Sequence, residues 1–179
     1  MQNKSSQGRG LFSFLWETLL LIVAAFLIAA IIKIFIVQPF YIPSESMMPT
    51  LKPGDRLLVN KFIYRFNKPK PGDIVVFLSP TDSKKDYIKR VIAVGDEEIE
   101  INDGQVFINN EPIKESYAEK DGDMSDFGPI KIPKGSVFMM GDNRANSSDS
   151  RVFGPVKTKF ILGSAFATYW PINRVNLIH

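Results

Sequence analysis

From Leu11 to Tyr41 the chain is overwhelmingly apolar, with only Glu17 and Lys33 carrying charge. The uncharged stretch Thr18–Ile32 is 15 residues long, short of the roughly 20 that a bilayer requires. The flanks make up the difference. Phe12, Phe14, Leu15 and Trp16 extend it on one side, and Ile34, Phe35, Ile36 and Val37 on the other. Lys33 can snorkel to one interface and Trp16 suits the other. Gln38-Pro39 is expected to end the helix, because proline disfavours helical geometry in the residue before it. The pattern predicts a transmembrane anchor over 11–38. A cleaved signal peptide is the competing reading, since Ala24, Ala25, Ala29 and Ala30 supply small residues. The apolar run continues well past them, which favours a retained anchor.

After the anchor the pattern changes to short apolar runs introduced by turn residues. Lys52-Pro53-Gly54-Asp55 precedes Leu57-Leu58-Val59, and Lys70-Pro71-Gly72-Asp73 precedes Ile74-Val75-Val76-Phe77. Pro-Gly suits the two central positions of a type II turn. Pro133-Lys134-Gly135 before Val137–Met140 has the same form. Further strands are predicted at Tyr87–Val94, Glu98–Ile101, Gln105–Ile108 and Ala165–Tyr169, with a hairpin at Asp103-Gly104. No segment beyond residue 50 holds a helical period. Residues 109–130 are polar and rich in Gly and Asp, and are read as a loop or small excursion. The expectation is an all-β, mainly antiparallel domain over 39–179, preceded by one N-terminal transmembrane helix and a short segment, 1–10. Lys4 and Arg9 precede the helix, so the positive-inside rule puts 1–10 in the cytoplasm and the β domain outside. Phe40, Tyr41, Tyr169 and Trp170 are candidates to rest on the bilayer, though core positions suit the last two equally.

Composition narrows the function. The 179 residues include no cysteine, which excludes structural disulfides and cysteine-ligated metals. The net charge of +3 suits contact with an anionic lipid surface. The basic residues are scattered, with no arginine-rich stripe, so nucleic acid is not an expected partner. The single histidine is His179, the last residue, and is read as functionless. A serine enzyme built on this chain therefore needs another base.

Ser46, in Ile42-Pro43-Ser44-Glu45-Ser46-Met47-Met48-Pro49-Thr50-Leu51, lies ten residues beyond Ile36, a reach of at most about 35 Å. It would work close to the membrane. A serine hydroxyl is a poor nucleophile until a base takes its proton, and a lysine can do so only when neutral. Lys89 is the candidate. Strand alternation puts it on one face with Tyr87, Val91 and Ala93, where desolvation would lower its pKa. Arg90 sits equally between apolar residues but stays protonated and cannot be the base. Each residue alone has a bland reading: Ser46 as a turn serine, Lys89 as a solvated strand lysine, and Gly141–Arg151 as a polar turn.

Taken together, the anchor, the Ser46 and Lys89 segments and Gly141-Asp142-Asn143-Arg144 leading to Ser147, Asp149, Ser150 and Arg151 resemble type I signal peptidase. This is the membrane-anchored Ser–Lys endopeptidase family that removes signal peptides from exported proteins. The resemblance implies Ser46 as nucleophile and Lys89 as general base. It implies an oxyanion hole made by the Ser46 amide and the Ser44 hydroxyl. It further implies that Ser147 hydrogen-bonds Lys89, that Asp149 and Arg151 pair to brace the Ser147 loop, that Asp142 and Arg144 support it, and that Met47 lies near the substrate pocket. No metal or organic cofactor is implied. The implied partners are preprotein signal peptides with small residues at positions −1 and −3, and the lipid bilayer of a bacterial-type cytoplasmic membrane. One departure is Ala93-Val94-Gly95-Asp96-Glu97, where many relatives carry Gly-Leu-Pro-Gly-Asp; it touches turn geometry and no proposed catalytic residue.

Several alternatives stand beside this reading. Self-cleaving repressors also use a Ser–Lys pair but expect a DNA-binding region in place of a membrane segment. Penicillin-recognising enzymes need Ser-x-x-Lys, which is absent. An EF-hand at Asp142 would place Phe153 where a glutamate is required. A non-catalytic, membrane-tethered β domain that binds exported proteins remains the rival from another class.

Overall fold

The structure, a computed structural model, describes residues 7–80, 82, 85–119 and 125–178, without the side chains of 7–9, 11 and 31–35. Lys4 and His179, and the side chains of Arg9 and Lys33, lie outside the described residues. Two compact units result, divided after Val37.

The first unit is essentially one helix, α1, Gln7–Phe35. It contains a 19-residue stretch, Phe12–Ala30, apolar enough to cross a membrane, with a mean hydropathy of 2.2. Trp16, Leu21 and Phe26 expose more than half their surface. The helix stops earlier than expected. Val37 and Gln38 are already in strand β1, Val37–Tyr41, so the extended geometry that proline favours in the preceding residue begins upstream of Pro39.

The second unit carries the remaining strands: β2 Arg56–Asn60, β3 Ile74–Leu78, β4 Asp86–Val94, β5 Glu98–Asn102, β6 Gln105–Ile108, β7 Glu111–Pro112, β8 Phe127–Lys131, β9 Ser136–Met140, β10 Val156–Lys157, β11 Ile161–Trp170 and β12 Asn176–Leu177. One helical turn, α2, spans Ser150–Phe153. The large sheet runs β1-β2-β11-β3-β4-β9-β10, with β12 also beside β11; the small sheet runs β7-β6-β5-β8. From β2 to β10, and throughout the small sheet, the pairings are antiparallel.

The expected turns form. Asp55 N–H and Asp73 N–H close i to i+3 hydrogen bonds onto Lys52 and Lys70. Gly54 and Gly72 hold φ of 95° and 97°, the left-handed value a type II turn requires at its third position. Asp103 and Gly104 both have positive φ, as a type I′ hairpin demands. Residues 109–130, expected as a loop or small excursion, include β7 and β8, which pair with β6 and β5. The alternation expected on β4 breaks. The register slips between Val91 and Ala93, so Val91 packs with Val75, Phe77 and Met139 while Ala93 joins Ile92, Ile99 and Phe138. Lys89 therefore shares a face with Tyr87 and Val91 but not with Ala93. Strand β9 is buried along its whole length, and the segment that follows it leaves directly from the core.

Candidate active site

Ser46 sits in a tight turn between β1 and β2. Met48 N–H donates to the Glu45 carbonyl at 3.0 Å and Leu51 N–H to the Met47 carbonyl at 2.9 Å. The turn aims Met47 inward, where it is fully buried with Ile42, Leu51 and Leu57. Met47 is therefore core and does not line the cleft, contrary to expectation: the turn that exposes a serine on one side buries its neighbour on the other.

Lys89 rises from β4 directly opposite Val75 of β3. It is 4% exposed, and its Nζ lies 2.7 Å from Ser46 Oγ. Burial lowers its pKa from 10.5 to about 8, against the upward pull of Asp149 and Asp142. Ser44 Oγ stands 3.4 Å from Ser46 Oγ. The two hydroxyls and the amine open onto a cleft of about 570 Å³ whose apolar lining includes Ile42, Val76 and Ile88.

The loop after β9 frames this pair from behind. Asn143 N–H donates to the Ser46 carbonyl at 3.2 Å. A Cβ at Gly141 would collide with that same carbonyl and with Ser147 Oγ, so only glycine permits the approach. Asp149 caps α2 by accepting from Arg151 N–H. It holds the Arg151 guanidinium through Nε at 2.9 Å and Nη2 at 2.8 Å, and accepts from Gly141 N–H at 3.0 Å. Burial alone would raise the Asp149 carboxyl, but Arg151 and the Gly141 amide more than offset it and hold it below its usual range. Asp149 and Arg151 are thus paired.

Asp142 accepts from Arg90 Nε at 2.9 Å, Arg90 Nη2 at 2.8 Å and Thr50 Oγ1 at 2.6 Å. Arg144 pairs with Glu115. Ser147 Oγ is buried without a hydrogen-bond partner, so its expected bond to Lys89 is not formed. It lies near enough to Asp149 to help lower that carboxyl, and the Lys89 amine turns toward Ser46. Arg90, Thr50 and Glu115 were missed by sequence reasoning. Only Arg90 left a signal: a permanent cation flanked by Ile88 and Ile92 needs a buried acid when it faces the interior. Among the described residues, no group of three or more histidine, aspartate or glutamate side chains could hold a metal ion.

The family model described as "Signal peptidase, peptidase S26" matches residues 15–170. The chain belongs to the signal peptidase I family. A signal peptidase I from Leptolyngbya laminosa is 43% identical over 152 residues, covering 80% of this chain and 74% of the relative. A probable signal peptidase I-1 of a Synechocystis strain is 38% identical, covering 91% and 86%. Signal peptidase I T of Bacillus subtilis is likewise 38% identical, covering 86% and 84%. A crystal structure of a signal peptidase I from Enterococcus faecalis is 31% identical, with a TM-score of 0.49, covering 55% of this chain and 97% of that one.

Proposed function

We propose that this chain is a membrane-anchored serine endopeptidase that removes signal peptides from exported preproteins, with Ser46 as nucleophile and Lys89 as general base. The observation that carries the reading is the 2.7 Å approach of Lys89 Nζ to Ser46 Oγ by a lysine whose pKa burial lowers to about 8. An ammonium there donates to the hydroxyl; the neutral amine accepts the hydroxyl proton, and only the second state activates the nucleophile.

Ser46 Oγ attacks the carbonyl carbon of the scissile peptide as its proton passes to Lys89 Nζ. The oxyanion is received by the Ser46 amide, which has no partner among the described residues, and by the Ser44 hydroxyl. Donors fixed before charge develops stabilise it without reorganising. Collapse breaks the C–N bond, and Lys89 returns the proton to the leaving amine. This frees the mature protein and leaves the signal peptide esterified to Ser46. Lys89 then takes a proton from water, whose attack on the ester releases the signal peptide and restores the serine.

Ser147 would orient Lys89, its unpartnered hydroxyl taking a second hydrogen bond of the neutral amine. Asp149 and Arg151 would brace the loop that carries it, Asp142 and Arg144 supporting that loop through Arg90 and Glu115. The apolar cleft would take small side chains, typically alanine, at −1 and −3. Lys4 and Arg9, ahead of the apolar stretch Phe12–Ala30 in sequence, support a cytoplasmic N-terminus, with the peptidase domain outside a bacterial-type cytoplasmic membrane.

The test is processing of a preprotein by the full chain in detergent, with Ser46→Ala and Lys89→Ala beside wild type and circular dichroism on all three. Wild type is expected to cut after a small residue, and both folded variants to lose at least about 1,000-fold in kcat. Cleavage that survives in folded Ser46→Ala removes the reading.

A further inference from the structure

The segment that follows β7, residues 113–119, does not simply return to the small sheet. It crosses to the loop after β9 and engages it through backbone and side chains. Glu119 N–H donates to the Asp142 carbonyl at 2.8 Å, and the Glu119 carbonyl accepts from Arg144 N–H at 3.3 Å. Glu115 takes both ends of the Arg144 guanidinium, Nη2 to Oε1 at 2.6 Å and Nη1 to Oε2 at 2.8 Å. Tyr117 lays its ring 4.0 Å from the Arg90 guanidinium, which is itself bound to Asp142.

Arg144 passes this grip toward the nucleophile. Its Nε donates to the Gly141 carbonyl at 3.0 Å. Gly141 is the residue whose missing side chain lets the loop press on the Ser46 carbonyl. Glu115 is therefore two hydrogen-bonded links away from the residue against which Ser46 rests. Both partners of the pair are enclosed, with side-chain exposures of 1% and 0%. Charges so enclosed lose their hydration, and apolar replacement of such a pair is often neutral or stabilising. A pair kept for stability alone has ready apolar substitutes; a bidentate pair that fixes the orientation of a loop does not.

We infer that Glu115 is a positioning residue of the peptidase site, acting through Arg144 to hold loop 141–147 against Ser46. The inference rests on the reading of Ser46 and Lys89 as the catalytic pair. It gives the excursion of the small sheet a role in catalysis: its connecting segment is the outer wall of the catalytic loop.

The experiment compares the full chain, Glu115→Gln and the double variant Glu115→Leu with Arg144→Met, in detergent. It measures preprotein turnover, thermal unfolding, and hydrogen exchange by mass spectrometry over residues 141–147. Glu115→Gln is expected to lower kcat roughly 10- to 100-fold with KM within about twofold, as misplacement of a reacting group does. The double variant should unfold no earlier than wild type, yet stay as slow as the single variant and exchange faster over 141–147. Wild-type kcat in either folded variant, or unchanged exchange over the loop in the double variant, overturns the inference. If the double variant does not fold, the kcat of Glu115→Gln decides. A wild type that cuts no preprotein refutes the dyad reading instead, and the exchange comparison then decides the loop inference by itself.

Discussion

At the scale of single residues, the site depends on a lysine kept where a lysine is costly. Its pKa of about 8 lies below the 10.5 of an exposed lysine, so the unfolded chain binds the extra proton between those values. Stability contributed by this residue therefore rises with pH across that window and is lowest below it. The deficit below pH 8 is on the order of 3 kcal/mol. Lys89→Met, which keeps an unbranched apolar chain, should unfold at a higher temperature than wild type at pH 7 while losing activity, and the gain should shrink by pH 10. Equal or lower stability of the variant at pH 7 would contradict the burial argument. Ser46 and Lys89 were legible in sequence because the chain offers so little else: no cysteine and one terminal histidine. Met47 was misread because spacing alone does not say which side of a turn faces inward.

At the scale of elements, local chemistry was readable and distant pairing was not. Pro53-Gly54, Pro71-Gly72 and Asp103-Gly104 announced their turns because each turn is decided by the φ values its own residues tolerate. Arg90 and Asp142, 52 positions apart, and Arg144 and Glu115, 29 apart, find one another only after the sheets have formed. The slip on β4 was equally hidden, since an irregularity with Met139 and Phe138 of β9 leaves no mark in Val91-Ile92-Ala93. The loop after β9 carries the sharpest constraint of this kind. Gly141→Ala would drive a methyl group into the Ser46 carbonyl and Ser147, and the backbone must yield. The variant is expected to lose about 100-fold in kcat while keeping its circular dichroism spectrum. Turnover at the wild-type rate would mean the loop does not fix the nucleophile.

At the scale of the whole molecule, the apolar helix and the β domain have separate requirements. The stretch Phe12–Ala30 contributes no buried residue, whereas residues from Gln38 onward form their own compact unit. A fragment of residues 37–179 should therefore unfold cooperatively, with a β-type circular dichroism spectrum; a chain without a cooperative transition would show that the domain needs the helix to fold. Tyr41, Tyr169 and Trp170 are exposed at 62%, 38% and 47%, which removes the core reading for the last two and leaves aromatic surface on the domain. The apolar helix and the β class were legible because one rests on an unbroken apolar run and the other on short apolar runs set off by turn residues. The reach of segment 113–119 to loop 141–147 was not, because a polar segment carries no such pattern.

The most direct test of the central claim, that a neutral Lys89 takes the Ser46 proton, is the pH dependence of kcat/KM for preprotein cleavage by the intact chain in detergent. The profile should rise with pH along a single ionisation with a midpoint near 8, the value to which burial brings Lys89; below it the amine is protonated and cannot accept the hydroxyl proton. A rate that stays flat between about pH 6 and 10 would contradict a titrating lysine base.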